Sequence, residues 1–181
     1  MNRSVGHRLR FFLKLTLAGL LALIPVAARS QVEGEIFEDP DHNYTLKLPK
    51  NWSAVVSQNG AGRNEVNIVF RGVREEGALQ IRTITVEPGT KAMEAAKRDE
   101  EQTLRFRPGY VKGAIENFAA NYNGALVNYD YTQSGRPKMG RKYYLLVNET
   151  TVYALWFSGN RPTMGPLRSQ TDLITRSFRV T

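Results

Sequence analysis

Tyr143 to Val147 and Val152 to Phe157 are two runs in which nearly every side chain is apolar, joined through Asn148-Glu149. Side chains alternate between the two faces of a strand, so strands apolar on both faces have to be covered on both. The two runs therefore predict a hairpin of central strands in a sheet with a layer on either side. One covering layer is legible near the C-terminal end. From Pro166 to Ser177 the residues Leu167, Thr171, Ile174 and then Phe178 recur at spacings of four, three and four, which puts them on one helix face.

The rest of the sheet reads as shorter strands. Glu35 to Glu38 is expected as an edge strand, and Asp39-Pro40-Asp41-His42-Asn43 supplies turn chemistry. Tyr44, Leu46 and Leu48 then alternate with Thr45 and Lys47 until Pro49 ends the strand. Trp52 to Val56 is the next strand, followed by a polar turn from Ser57 to Asn64. Val66, Ile68 and Phe70 alternate again, and after a turn over 72–77 the run Ala78 to Val86 extends the sheet. In that run the apolar side shifts from Leu79 and Ile81 to Ile84 and Val86, which predicts a bulge or strong bend near Arg82. Thr90 is the expected N-cap of a helix reaching about Leu104, with Met93, Ala96, Glu100 and Leu104 on its inner stripe. Between Phe106 and Gly124 neither period fits, because Pro108, Gly109 and Gly113 interrupt the pattern. Val127, Tyr129 and Tyr131 then share a strand face, and Ser134-Gly135-Arg136-Pro137 is expected as a loop.

Residues 1–30 have a different character. Arg3, Arg8 and Arg10 make a basic start, Leu15 to Val26 an apolar run, and Ala27, Ala28 and Ser30 a small-residue close, the layout of a secretory signal peptide. The apolar run begins after Lys14 and meets Pro25 before reaching the roughly 20 residues that a spanning helix needs, which favours cleavage over retention as an anchor. Cleavage fits after Ala28 or after Ser30, the second leaving Gln31 as the new terminus. Arg8 and Arg10 are not adjacent, so a twin-arginine signal is unsupported. The expected organisation is a signal peptide over 1–30 and one domain over 31–181, exported to the periplasm or secreted.

Export changes the charge argument. The chain carries +8, from 25 basic and 17 acidic residues, but five of the basic ones and none of the acidic ones lie in 1–30. The remaining 20 basic against 17 acidic residues leave +3, a solubility property and no footprint for nucleic acid. The chain has no cysteine, so disulfides and a lipid-bearing cysteine are excluded. Stability has to come from the core, and a domain of about 150 residues buries enough surface, about 68 to 70%, to manage without staples.

Candidate chemistry is sparse. Beyond residue 30, His42 is the only histidine; with Asp39 and Asp41 nearby it could do acid/base work, which keeps a hydrolase among the alternatives. The competing reading is a solvated histidine in a polar turn. Asp39, Asp41 and Asn43 repeat the opening oxygen spacing of a calcium loop and so raise a weak hard-cation or small-ligand site. Tyr44 and Lys50, however, stand where that loop needs a glycine and a bidentate acid, and turn formation explains the same residues. Arg105-Phe106-Arg107-Pro108-Gly109-Tyr110-Val111-Lys112 mixes aromatic and basic side chains, which stack and pair with anionic groups. Arg105, Arg107 and Tyr110 are therefore the candidate partner-binding residues, against the alternative that these aromatics merely seal a sheet edge. Tyr143, Tyr144, Tyr153, Trp156 and Phe157 are expected as core. Asn43, Asn51 and Asn148 each open an N-x-Ser/Thr sequon, relevant only in a glycosylating host. No catalytic residue, metal ligand or cofactor is assigned.

Tyr44-Thr45-Leu46-Lys47-Leu48-Pro49-Lys50-Asn51-Trp52 and Ile174-Thr175-Arg176-Ser177-Phe178-Arg179 resemble the opening and closing segments of the PsbP-like family. That family comprises the extrinsic photosystem II subunit, its secreted bacterial relatives and a Ran-binding nuclear import factor of similar fold. The resemblance covers residues 34–180 through the order of elements. It implies an α+β fold, a largely antiparallel β-sheet sandwiched by helices. It also implies a binding or assembly module and no enzyme. For an exported chain the expected partner is then a protein or cell-envelope component, an envelope or extracellular protein first. No metal or reaction-centre contact of the family carries over to a residue here.

Overall fold

The structure is a computed structural model, and it describes residues 34–41, 43–58, 64–70 and 77–181. The expected signal peptide, His42 and most of the two turns expected over 57–64 and 72–77 lie outside the described residues. In chain order the elements are β1 (Gly34–Glu38), β2 (Tyr44–Pro49), β3 (Trp52–Gln58), β4 (Asn64–Phe70), β5 (Gly77–Thr85), α1 (Ala92–Gln102), a 3-10 turn (Leu104–Phe106) and β6 (Val111–Ala119). There follow β7 (Asn123–Gln133), β8 (Arg136–Asn148), β9 (Thr151–Asn160), α2 (Arg161–Met164), α3 (Arg168–Ser177) and β10 (Arg179–Val180). The strands form a seven-stranded antiparallel sheet in the order β3-β4-β5-β9-β8-β7-β6 and a three-stranded antiparallel sheet in the order β1-β2-β10.

The hairpin expected at the centre of the sheet is there. β9 is the middle strand and β8 its neighbour, and both are buried on both faces. Odd positions, Tyr143, Leu145, Leu155 and Phe157, point to one core; even positions, Tyr144, Val152 and Ala154, point to the other. The first core is closed by the small sheet and α3, through Tyr44, Leu46, Leu48, Leu167, Ile174 and Phe178. The second is closed by α1, whose Ala92, Ala95 and Ala96 lie against Val127, Tyr129 and Tyr144. Three small side chains on one helical face let the helix axis approach the sheet closely.

The same two-faced burial replaces the bulge expected near Arg82. β5 pairs with β9 in unbroken register from Gly77↔Gly159 to Thr85↔Thr151. Leu79 and Ile81 serve the first core, whereas Ile84 and Val86 serve the second. The apolar shift is thus a change of covering layer along a regular strand.

Three local expectations are corrected. Segment 106–124, which fitted no period, contains β6, an edge strand whose pattern is nearly all exposed and so carries no alternation. The segment 134–137 is a tight hairpin turn in which only Ser134 and Gly135 leave the ladder, with φ of 52° and 73°, and strand pairing resumes at Arg136↔Gln133. Two consecutive positive φ values match the right-handed twist of the strands, as in type I′ hairpins. Helix α1 starts one residue later than expected, after Lys91, whose N–H donates to the Glu94 carboxylate at 3.2 Å.

A buried guanidinium ties α3 to the sheet. Arg141 on β8 donates to Thr171 Oγ1 (3.0 Å), Asn128 Oδ1 (2.7 Å), the Tyr143 hydroxyl (2.9 Å) and Asp172 Oδ1 (2.7 Å). A charge taken out of water needs this degree of pairing.

Candidate functional site: a basic aromatic corner beside helix α1

The corner forms because α1 cannot continue. Thr103 leaves helical geometry (φ −130°), Leu104 turns inward and is fully buried, and one 3-10 turn brings the chain to Arg107. Pro108 and Gly109 then reverse it. Gly109 has φ +60° and lies where a Cβ would stand 2.5 Å from Thr132 Oγ1, so only glycine fits. The Thr132 N–H donates to the Pro108 carbonyl at 2.7 Å, which pins the turn to β7.

The three candidate partner-binding residues divide between two tasks. Arg105 is exposed, its guanidinium 5.5 Å from the ring centroid of Phe106, which is itself 73% exposed. Arg107 turns the other way. Its guanidinium lies 4.3 Å from the Trp156 ring and 5.1 Å from the Tyr131 ring, and its Nε is buried without a partner. Tyr110 packs on Tyr129 (5.7 Å between centroids), and its hydroxyl donates to Glu100 Oε1 at 2.9 Å. Lys112 reaches the other carboxylate oxygen, Oε2, at 3.0 Å. Glu100 sits on the inner stripe of α1, as its spacing predicted, and these two donors satisfy it. Burial on its own would raise its pKa, but the hydrogen bonds from Lys112 and Tyr110 outweigh burial and hold it below the usual range. Burial, then the Glu100 carboxylate, pushes the Tyr110 phenol up.

Behind Arg107 is a cavity of about 350 Å³, at the shoulder where the flank of α1 meets β5. Gln80, Arg82 and Ile84 of β5 form its floor with Ala154 and Trp156 of β9, and Asp99, Thr103, Arg107 and Lys142 line the rest. Asp99 is already engaged: Lys142 Nζ lies 2.7 Å from Oδ2, and the Tyr144 hydroxyl donates to the same oxygen. Burial would raise Asp99, and the bonds from Lys142 and Tyr144 reverse that and lower it. Trp156, expected as core, is half-buried with its ring against Arg107. Sequence could not assign it this role, because the partners sit on different elements.

At the Asp39 turn, the Asp39 carboxylate accepts from Asn43 Nδ2 (2.8 Å) and from the Asn43 N–H (3.3 Å), and the Asp39 N–H donates to the Tyr44 carbonyl (2.9 Å). Among the described residues no group of three or more His, Cys, Asp or Glu could hold a metal ion, and no helix is long and apolar enough to cross a membrane.

No protein-family model matches the chain, and no curated protein matches it in sequence. Solved structures match it in fold. It is similar to LpqN of Mycobacterium tuberculosis, a protein involved in cell envelope biogenesis, with a TM-score of 0.60 at 11% identity over 82% of this chain and 91% of that one. It is similar to cyanobacterial PsbP from Synechocystis sp. PCC 6803, with a TM-score of 0.55 at 12% identity over 88% of this chain and 99% of that one. It is similar also to PA94 of Pseudomonas aeruginosa, a protein of unknown function, with a TM-score of 0.51 at 10% identity over 80% and 94%. The fold is therefore PsbP-like, α+β, with a large antiparallel sheet covered on one face by α1 and on the other by α3 together with the small sheet. None of these three descriptions names an enzymatic activity.

Proposed function

We propose that the protein is exported and acts as a non-catalytic module that binds an envelope or extracellular protein through the outward face of the corner. Arg105, Phe106, Val111 and Lys112 form that face, and Arg107 and Tyr110 brace it from behind. The observation that carries this reading is Phe106, a largely exposed phenyl ring beside Arg105 on a turn fixed at both ends. Aromatic and arginine side chains are enriched in the energetic centres of protein interfaces, and a pinned turn loses little entropy on docking. The fold shared with LpqN, described as involved in cell envelope biogenesis, supports an envelope setting. The basic, apolar, small-residue pattern of 1–30 supports export, with cleavage after Ala28 or Ser30.

The test is capture of envelope proteins by the purified domain and by an Arg105→Ala/Phe106→Ala variant. We expect capture to fall while the unfolding midpoint stays put, since surface substitutions usually shift stability by no more than about 0.5 kcal/mol each. Capture should also weaken as salt shortens the screening length from about 10 Å at 0.1 M to about 3 Å at 1 M. Replacing Arg105, Arg107 and Tyr110 together by Ala is the wrong probe, because the last two hold the turn on the sheet and the variant loses stability as well. Capture that survives both the double variant and high salt sinks the proposal.

A further inference from the structure

We infer that the cavity between α1 and β5 is a binding site for a small organic anion, one carrying a carboxylate or phosphate group. Its volume, about 350 Å³, is within the roughly 300–1,000 Å³ of ordinary small-molecule sites. Three of its lining side chains are cationic, Arg82, Arg107 and Lys142, and one is acidic, Asp99. Lys142 and Asp99 neutralise each other at 2.7 Å. Arg82 and Arg107 remain, and no described acidic residue pairs with either.

Arg107 is unusual for a surface cation in how firmly it is placed. Trp156 and Tyr131 flank it at 4.3 and 5.1 Å, and its backbone N–H is held by the Leu104 carbonyl at 3.0 Å. No described residue accepts a hydrogen bond from its guanidinium. A guanidinium has donors only, and its planar fork matches a carboxylate or phosphate edge. Indole N–H is likewise donor-only, and the buried Trp156 Nε1 has the Tyr129 hydroxyl beside it without a hydrogen bond of good geometry between them. Two guanidiniums, against one carboxylate already paired with Lys142, favour an anionic, acceptor-rich ligand.

The sheet register sets the floor. Arg82 pairs with Ala154, and Gln80 with Trp156, which in turn pairs with Lys142. Arg82 and Lys142 therefore stand on strands two apart, strands about 10 Å from each other at the usual spacing, with Arg82 two residues further along than the position level with Lys142. The small Ala154 side chain beside Arg82 leaves the floor low at that end. The Trp156 ring, Ile84 and Ala154 give an apolar surface for the body of the ligand, and the two free arginines meet its charged head. A small ligand here and a protein on the outer face of the corner are independent, so either site can exist without the other.

The experiment titrates the purified domain with benzoate, phenyl phosphate, inorganic phosphate and, as a cation of matching shape, benzamidine. Tryptophan fluorescence is the readout: the chain has two tryptophans, and Trp52 faces the opposite core. We expect saturable quenching with benzoate or phenyl phosphate and none with benzamidine; the stronger of the two binders identifies the head group, and inorganic phosphate shows whether the head alone suffices. Arg107→Gln and Arg82→Gln should each weaken binding about tenfold or more, the usual effect of losing a hydrogen bond to a charged group. Arg82 is exposed, so its variant folds and keeps the test decisive if the Arg107 variant does not. The inference is overturned by no saturation below about 10 mM with any anion, by equal binding of benzamidine, or by unchanged affinity in folded Arg82→Gln.

Discussion

Phe178 should be the costliest single truncation in this protein, because it joins three layers at one point. It follows α3 directly, is fully buried, and packs on Tyr44 of the small sheet (5.4 Å, stacked), Tyr153 of the large sheet (5.1 Å) and Tyr122 of the β6–β7 turn (6.3 Å). Its carbonyl also accepts from Asn121 Nδ2 at 3.2 Å. A phenylalanine buries on the order of 150–250 Å². At about 25 cal/mol per Å² that is about 4 to 6 kcal/mol, an upper figure because denatured chains already bury part of their surface. Each aromatic pair adds roughly 0.5 to 1.5 kcal/mol, and alanine leaves a cavity that three rigid rings cannot close. We expect Phe178→Ala to cost about 4 to 5 kcal/mol and Phe178→Leu, which keeps volume but loses the rings, about 1.5 kcal/mol. Urea unfolding followed by far-UV circular dichroism measures both. With a slope of about 2 kcal/mol/M, the alanine variant should lose about 2 M in midpoint. A loss under about 1 kcal/mol for Phe178→Ala, or equal losses for the two variants, would refute the reasoning.

Glu100 gives a pH signature: its folded pKa is below its unfolded one, so its contribution is present above about pH 4.3 and lost as pH falls through the folded value. Lys112→Met removes a main lowering partner and should flatten the fall in stability on acidification; an unchanged slope in pH-dependent urea midpoints counts against the pairing. Gly140 lies opposite Tyr129, where a Cβ would stand 2.3 Å from the ring, so Gly140→Ala should cost about 1 to 3 kcal/mol by overpacking. An unaltered melting midpoint would show that the ring does not cross that glycine. Export should yield a product beginning near Gln31, checked by intact mass, and a membrane-retained chain that still carries Met1 to Ser30 is the contrary result.

Much of the fold was legible because it rests on period. The all-apolar runs of β8 and β9 demanded two covering layers, and the 167, 171, 174, 178 spacing supplied one; all four of those side chains are buried. Tyr44, Leu46 and Leu48 likewise are buried as their alternation required. Period failed where a strand has no inward face to mark it, as in the nearly all-exposed β6, or where one strand serves two cores, as in β5.

The candidate site was legible only as a composition. Its mixture of arginine and aromatics in 105–112 marked the segment, but the outward direction of Arg105 and the inward direction of Arg107 follow from the break at Thr103 and the reversal at Gly109. The cavity was invisible to sequence reading because Arg82, Arg107, Lys142 and Trp156 come from four separate elements. By itself the sequence determined which side chains must leave water, since hydrophobic burial depends on local pattern and is non-directional. Tertiary structure alone decided which polar groups meet, because hydrogen bonds and ion pairs act over a few ångströms between residues whose separation along the chain carries no signal.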